Sequence, residues 1–203
     1  MTPGPSMTID LLAVLREVGA LKEGHFVLSS GRHADRYIEK FDLLRNPRAT
    51  SEVCRAFAER FAGVGADVVV GPTTGGILLA FEVARQLGLP AAYAERRSET
   101  GRERTFRRGQ SFAPGTRVVV VDDIMTTGGA VKETLAALAE HPVDVVGTGV
   151  LVDRSGGSVD LGVPLFAIAE LDIATWDPAD CPLCRDGVPL VKPGTTPTAA
   201  TDR

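Results

Sequence analysis

The 203-residue sequence predicts an α/β domain: a mainly parallel sheet with helices packed on its faces. Three observations carry this. From Ala66 onward, apolar strand patterns alternate with helical ones, the order of a parallel sheet built by crossovers. Two strand patterns, "VVV" at 68–70 and "VVVV" at 118–121, are apolar at every position, as strands covered on both faces must be. Three of the strands run out into polar turns: "GPTTGG" at 71–76, "DDIMTTGGA" at 122–130 and "DRSGG" at 153–157. In open parallel sheets ligands bind at those carboxyl ends.

In chain order, residues 8–21 repeat apolar side chains at helical spacing. "HFVLSSGRHADRYIEKFDLL", 25–44, reads as strand, turn and strand split by "SSGR". "NPRATSEVCRAFAERFAGVG", 46–65, is a helix with Pro47 near its start and glycine at its end. The alternation follows. A short β-branched run into a Gly/Thr turn, 66–76, precedes a helix over 77–88, and 90–96 is a strand. A strand and turn over 116–129 precede a helix over 130–141, a further strand and turn lie over 143–157, and 163–171 is one more strand. No repeat of solenoid period is present. Residues 8–191 form one domain, with a flexible tail at 1–7 and a Pro/Thr/Ala-rich disordered tail at 192–203.

Composition excludes some functions. No apolar run approaches a membrane span, and "MTPGPSMTID" lacks the basic and apolar regions of a signal peptide, so a cytoplasmic location is expected. A net charge of −4 argues against non-specific nucleic-acid binding. The charge is uneven: "RRSETGRERTFRR", 96–108, holds six arginines against two glutamates. It is either a solvated charged hairpin or a segment that meets an anion. Cys54, Cys181 and Cys184 make no disulfide framework. "CPLC", 181–184, has the spacing of half a zinc site, but a structural site needs four ligands and there is no second cysteine pair. The three histidines are scattered in sequence, so no side chain is assigned to a metal. Packed or redox-sensitive thiols are the alternative.

The richest stretch is Asp122 to Ala130. Gly128 and Gly129 allow a tight turn and close approach of backbone to ligand. Thr126 and Thr127 add hydroxyl donors, and a helix beginning near Ala130 offers unpaired N–H groups at its positive end. Together these form a phosphate cradle. It lacks the lysine and spacing of the nucleoside-triphosphate P-loop, and no G-x-G-x-x-G follows the first strand. Asp122 and Asp123 would repel a phosphate over them, but they suit a diol. A ligand with hydroxyls beside a phosphate, such as ribose 5-phosphate, satisfies both halves, and the carboxylates would stabilise positive charge developing on the sugar. A capping turn with solvated aspartates is the plainer alternative.

"VVVVDDIMTTGGA" resembles the phosphoribosyl pyrophosphate (PRPP) motif of the type I phosphoribosyltransferases. Within them the chain resembles the orotate phosphoribosyltransferases, through "GHFVLSSGRHADRYIEK" (24–40) and "LVDRSGG" (151–157). The resemblance implies a five-stranded, mainly parallel sheet flanked by helices. A small N-terminal hood, from about 8–45 plus a C-terminal segment, covers it. It implies transfer of ribose 5-phosphate from PRPP to orotate, giving orotidine 5′-monophosphate and pyrophosphate in pyrimidine biosynthesis. Mg²⁺ would be the cofactor, carried by PRPP rather than by protein side chains.

By the same resemblance Asp122 and Asp123 hold the ribose hydroxyls. Ile124, Met125, Thr126, Thr127, Gly128, Gly129 and Ala130 bind the 5′-phosphate side. Thr74 and Gly75 lie in the pyrophosphate loop. Arg96, Arg97 and Arg102 belong to a mobile loop that closes over PRPP, with Arg97 and Arg102 catalytic. Thr126, Arg154, Tyr37 and Ile38 contact orotate. A homodimer is implied, with the loop of about 96–108 closing over the partner's site. Ser29, Gly75 and Thr100 stand where the commoner pattern has lysine, and Arg104 is a further candidate to carry loop charge. The rivals are a phosphoribosyltransferase for a purine or uracil, which would lack the Arg154 anion pair, and a PRPP-sensing regulator that binds nucleic acid.

Overall fold

The computed structural model describes residues 9–193. The tails expected at 1–7 and 192–203 lie outside the described residues, except for Lys192 and Pro193.

The chain opens with helix α1 (Leu11–Glu17), where the Asp10 side chain accepts the Ala13 N–H and so satisfies a free amide. Strands β1 (Leu21–Val27) and β2 (His33–Ile38) form an antiparallel hairpin, followed by helix α2 (Lys40–Leu44). Helix α3 (Pro47–Phe61) starts where the sequence signals it: Asn46 caps the Ala49 N–H, and Pro47 occupies the first turn. Then come β3 (Val68–Pro72), α4 (Gly75–Leu87), β4 (Ala91–Arg96) and the short β5 (Arg104–Thr105). Strand β6 (Thr116–Met125), helix α5 (Gly129–Leu138), β7 (Val143–Asp153) and β8 (Leu165–Glu170) complete the alternation. The chain ends through β9 (Thr175–Trp176), α6 (Pro182–Arg185) and β10 (Leu190–Val191).

The main sheet has the order β5-β4-β3-β6-β7-β8. Five of these strands are parallel, as the resemblance implies; the two-residue β5 adds a sixth, antiparallel to β4. The valine runs divide between the two faces. Val69, Val119 and Val121 pack in one core with Phe57 of α3 and Leu79 of α4. Val68, Val70, Val118 and Val120 pack in the other with Val131 and Leu138 of α5. Alternation along a doubly covered strand leaves no polar position, which is why the runs are unbroken. Each fully buried valine contributes about 1.5–3 kcal/mol of transfer free energy. That anchors the strand ends that carry the polar turns.

A second, four-stranded sheet has the order β10-β1-β2-β9. The N-terminal hairpin is thus completed on both sides by C-terminal residues. Strands of two residues carry no periodicity, so β9 and β10 are not visible in the sequence pattern. Among the described residues no helix is long and apolar enough to cross a membrane.

Candidate active site

Asp122 and Asp123 lie near the end of β6, only 6% and 3% exposed. The Asp123 N–H donates to Asp122 Oδ1 at 2.8 Å, and the Ile124 N–H to Asp123 Oδ1 at 2.7 Å. Lys40, at the start of α2, donates to Asp123 Oδ1 at 3.0 Å. Its ammonium is also 2.8 Å from Oδ2, an ion-pair contact without hydrogen-bond alignment. Asp123 therefore has a cation of its own. Asp122 does not: burial first, and the Asp123 charge second, push its carboxyl up to about 7. The two acids thus differ in environment, one paired and one reluctant to ionise.

Directly after them, residues 126–130 wrap a cavity of about 150 Å³ that Asp122 and Ile124 also line. Gly128 has φ +73°, and a Cβ there would stand 2.7 Å from Val159 Cγ1, so a side chain would be both strained and crowded. Helix α5 begins at Gly129 with no side-chain cap. Its first N–H groups stay available for an anion, and the Thr126 and Thr127 side chains are exposed at the same rim.

The turn 71–76 joins β3 to α4, whose N-terminus also lacks a side-chain cap. It is folded tightly. A Cβ on Gly71 would lie 1.9 Å from the Gly76 carbonyl oxygen, and one on Gly76 2.5 Å from Pro72 Cδ. A Cβ on Gly75 would lie 1.9 Å from Asp123 Oδ2, so this turn and the paired acids are in contact. The Thr73–Thr74 peptide bond is cis.

A larger cavity of about 890 Å³ opens beside Thr126 and Thr127, between the main sheet and the hood. Tyr37, Ser29, Arg154, Asp172 and Lys192 are among its walls. Arg154, just past β7, is held by its own N–H donating to the Met125 carbonyl at 2.8 Å. Its Nε is buried and, among the described residues, has no hydrogen-bond partner. Burial pulls the guanidinium below its ordinary range, and the Asp172 charge opposes this. A desolvated guanidinium with an unused donor is a site for a planar anion. Of the expected base-side residues, Thr126, Tyr37 and Arg154 share this cavity. Ile38 does not. Adjacent residues of a strand face opposite ways, and Ile38 is buried in the core with Leu43 and Leu44.

The basic segment is not gathered onto these cavities. Arg96 pairs in register with Arg104 across β4 and β5, while Arg97 and Arg102 are exposed. Arg97 binds the Glu140 carboxylate at 3.0 and 3.1 Å. Glu140 lies beyond the far end of α5, and that helix spans about 15 Å at 1.5 Å per residue. Arg97 is thus held away from the cradle at Gly128 and Gly129. Arg104 turns inward, 5% exposed. It donates to Glu133 Oε2 at 3.2 Å, Thr73 Oγ1 at 3.1 Å and the Ala94 carbonyl at 3.1 Å. It is a fastening between the loop, α5 and the 71–76 turn rather than a free loop charge.

Lys40 is a residue the sequence reading passes over. Its signal was its rarity, since it is one of four lysines in a chain with 18 arginines. The acid it neutralises is 83 positions away.

Comparison with known proteins gives a consistent result. The phosphoribosyl transferase domain family matches residues 42–174. Orotate phosphoribosyltransferase of Pelotomaculum thermopropionicum is 46% identical over 185 residues, 91% of this chain and 96% of that protein. The Thermotoga maritima orotate phosphoribosyltransferase is 43% identical over 181 residues, 89% of this chain and 95% of that protein. The crystal structure of orotate phosphoribosyltransferase from Aeropyrum pernix superposes with a TM-score of 0.68 at 32% identity, covering 79% of this chain and 93% of that one.

Proposed function

We propose, for a chain that belongs to the orotate phosphoribosyltransferase family, that it transfers ribose 5-phosphate from PRPP to orotate, releasing pyrophosphate, in pyrimidine biosynthesis. The observation that carries the base assignment is the buried Arg154 Nε, which lacks a partner among the described residues in the cavity it shares with Tyr37 and Thr126. A neutral base such as adenine or hypoxanthine offers that cationic donor only an uncharged acceptor, while the orotate carboxylate offers a charged one.

In this reading the 5′-phosphate sits on the N–H groups at Gly129 and Ala130 with the Thr126 and Thr127 hydroxyls. The ribose hydroxyls donate to Asp122 and Asp123. The pyrophosphate lies toward Thr74 and Gly75 at the start of α4. Bond breaking at the anomeric carbon leaves positive charge on the sugar ring, and the two carboxylates are the groups placed to stabilise it. The orotate ring nitrogen then attacks, with Arg154 fixing the ring and Tyr37 forming its wall. Closure of the 96–108 loop, which frees Arg97 from Glu140, would bring Arg96, Arg97 and Arg102 onto the leaving group and exclude water. A homodimer with the loop closing over the partner's site is part of the same proposal, as is a cytoplasmic location.

Two carboxylates on one strand end are too few for an all-protein Mg²⁺ cage, but they suit an ion that arrives on substrate oxygens. When bound, Mg²⁺ neutralises charge on the departing pyrophosphate.

Replacing Arg154 with Met tests the base assignment. Calorimetry should show PRPP binding retained and orotate binding weakened by about 10–100-fold, the loss of a charge-assisted hydrogen-bonded pair. Unchanged orotate affinity in Arg154→Met would remove Arg154 from the base site.

A further inference from the structure

Away from the active site, four side chains from three separate segments converge. They are His25 of β1, His33 of β2, and Cys181 and Cys184 at the start of α6 and within it. One ligand atom from each lies within 4.8 Å of all the others. His25 Nε2 is 2.9 Å from His33 Nδ1, 3.4 Å from Cys181 Sγ and 3.7 Å from Cys184 Sγ. Cys184 Sγ is 3.3 Å from His33 Nδ1. Both cysteines are free thiols. The two ligands that the spacing of "CPLC" could not supply are histidines more than 140 positions away.

We infer that His25, His33, Cys181 and Cys184 bind one Zn²⁺ as a structural Cys₂His₂ centre that ties the hood hairpin to the C-terminal segment. Four lines of physical chemistry support it. First, the spacing is close to that of a tetrahedral site, with the imidazole nitrogens 2.9 Å apart and the nitrogen–sulfur distances 3.3–3.7 Å. Zn–N bonds of about 2.0–2.1 Å and Zn–S bonds of about 2.3 Å in a tetrahedron put nitrogens about 3.3 Å apart and nitrogen from sulfur about 3.6 Å. Second, His25 is already oriented. Its other nitrogen, Nδ1, is 2.8 Å from the Val188 carbonyl, which can only accept, so Nδ1 carries the proton and the Nε2 lone pair faces the cluster. Third, two thiolates balance the charge of Zn²⁺, which suits a site where three of the four residues are buried. Fourth, a metal-free cluster explains less. One hydrogen bond between the imidazoles accounts for the 2.9 Å contact but gives no reason for two thiols to converge on the same nitrogens.

The centre has a consequence for the active site. His25 and His33 bracket the segment containing Val27, Leu28, Ser29, Ser30 and Arg32, and these five line the large cavity. Val188 and Cys181 bracket the chain that leads to β10, which pairs with β1 at His25 and Phe26. The metal therefore holds one wall of the base-side cavity. This last consequence rests on the proposed function; the metal site itself does not.

The test uses the full chain, purified under reducing conditions without chelator, incubated with Zn²⁺ and dialysed. Elemental analysis should give one zinc per chain. Co²⁺ replacing it should give thiolate-to-cobalt charge-transfer bands and tetrahedral visible bands. Cys184→Ser, at the exposed edge of the cluster, should fold, as judged by circular dichroism, and lose both signals. His33→Ala should do the same, while Cys54→Ala, outside the cluster, should keep them. A folded wild-type protein that retains no zinc overturns the site, whatever its turnover. So does a Cys184→Ser protein that keeps one zinc and the thiolate bands. With the site established, stripping the metal should raise KM for orotate several-fold more than KM for PRPP. Equal KM values in the stripped and loaded protein would overturn the link to the cavity wall.

Discussion

Two turns leave the same edge of the main sheet and are built alike. Each follows a valine strand, each passes through glycine, and each enters a helix without a side-chain cap. Both therefore present backbone N–H groups and the positive end of a helix dipole. They differ in charge. The β6–α5 turn is preceded by two buried carboxylates; the β3–α4 turn, Gly71 to Gly76, has none. One geometry thus serves two parts of one ligand. The uncharged turn can accept a highly charged group such as pyrophosphate, while the acidic one needs hydroxyls beside its phosphate. The contact between Gly75 and Asp123 joins the two.

The largest expected effect tests the acidic turn. Asp123→Asn keeps the shape and removes the charge, so kcat should fall by about 10²–10³-fold, as when a single group that stabilises transition-state charge is lost. The denaturation midpoint should stay near wild type. Wild-type turnover in this variant would reduce the carboxylate to a turn-capping role.

On the uncharged turn the expected damage is structural. Gly71→Ala drives a Cβ into the Gly76 carbonyl, a backbone atom that cannot swing aside. Urea unfolding should show a loss of about 1–3 kcal/mol, the usual cost of overpacking. Gly75→Ala separates the two effects. Its Cβ meets the ends of two side chains, Asp123 Oδ2 at 1.9 Å and Leu44 Cδ1 at 3.1 Å, and no backbone atom. Stability should change by less than about 1 kcal/mol, while turnover falls by about 10-fold as Asp123 is displaced. Equal losses of stability in the two variants would mean that the turns are not coupled through Asp123.

Lys40→Met removes the cation from Asp123. Because the Lys40 side chain is 36% exposed, solvent screens the pair, and a loss of roughly 1 kcal/mol is expected by urea unfolding.

The last effect is in pH. Asp122 is raised from 3.8 to about 7 in the folded chain. The folded state therefore holds a proton that the unfolded state gives up between those values. This contribution to stability is complete below about 4 and is lost as pH rises toward 7. The unfolding free energy of wild type minus that of Asp122→Asn should fall across that window. A flat difference would mean that Asp122 ionises normally.

The sequence made contiguous features legible and hid those that are assembled. The valine runs revealed a doubly covered sheet because every position is buried. Asp122 to Ala130 revealed a phosphate and diol site because all its groups lie within nine consecutive residues. The pairing of Lys40 with Asp123 and the cluster of His25, His33, Cys181 and Cys184 join residues from distant segments, and only the hood's topology brings them together. Arg104 could not be told from its neighbours in a charge run until β5 turned it inward. Ile38 is the exception that pattern alone could have settled, because strand alternation puts it on the face opposite Tyr37.

The most direct test follows the ultraviolet absorbance of orotate in the presence of the purified protein, PRPP and Mg²⁺. Separate arms omit Mg²⁺ or PRPP, or replace orotate with uracil or hypoxanthine. Loss of orotate that requires both PRPP and Mg²⁺, with no reaction of the other bases, is the expected result. Turnover of uracil or hypoxanthine in place of orotate, or PRPP binding with no turnover of any base, would contradict the assignment of Arg154 and its cavity to orotate.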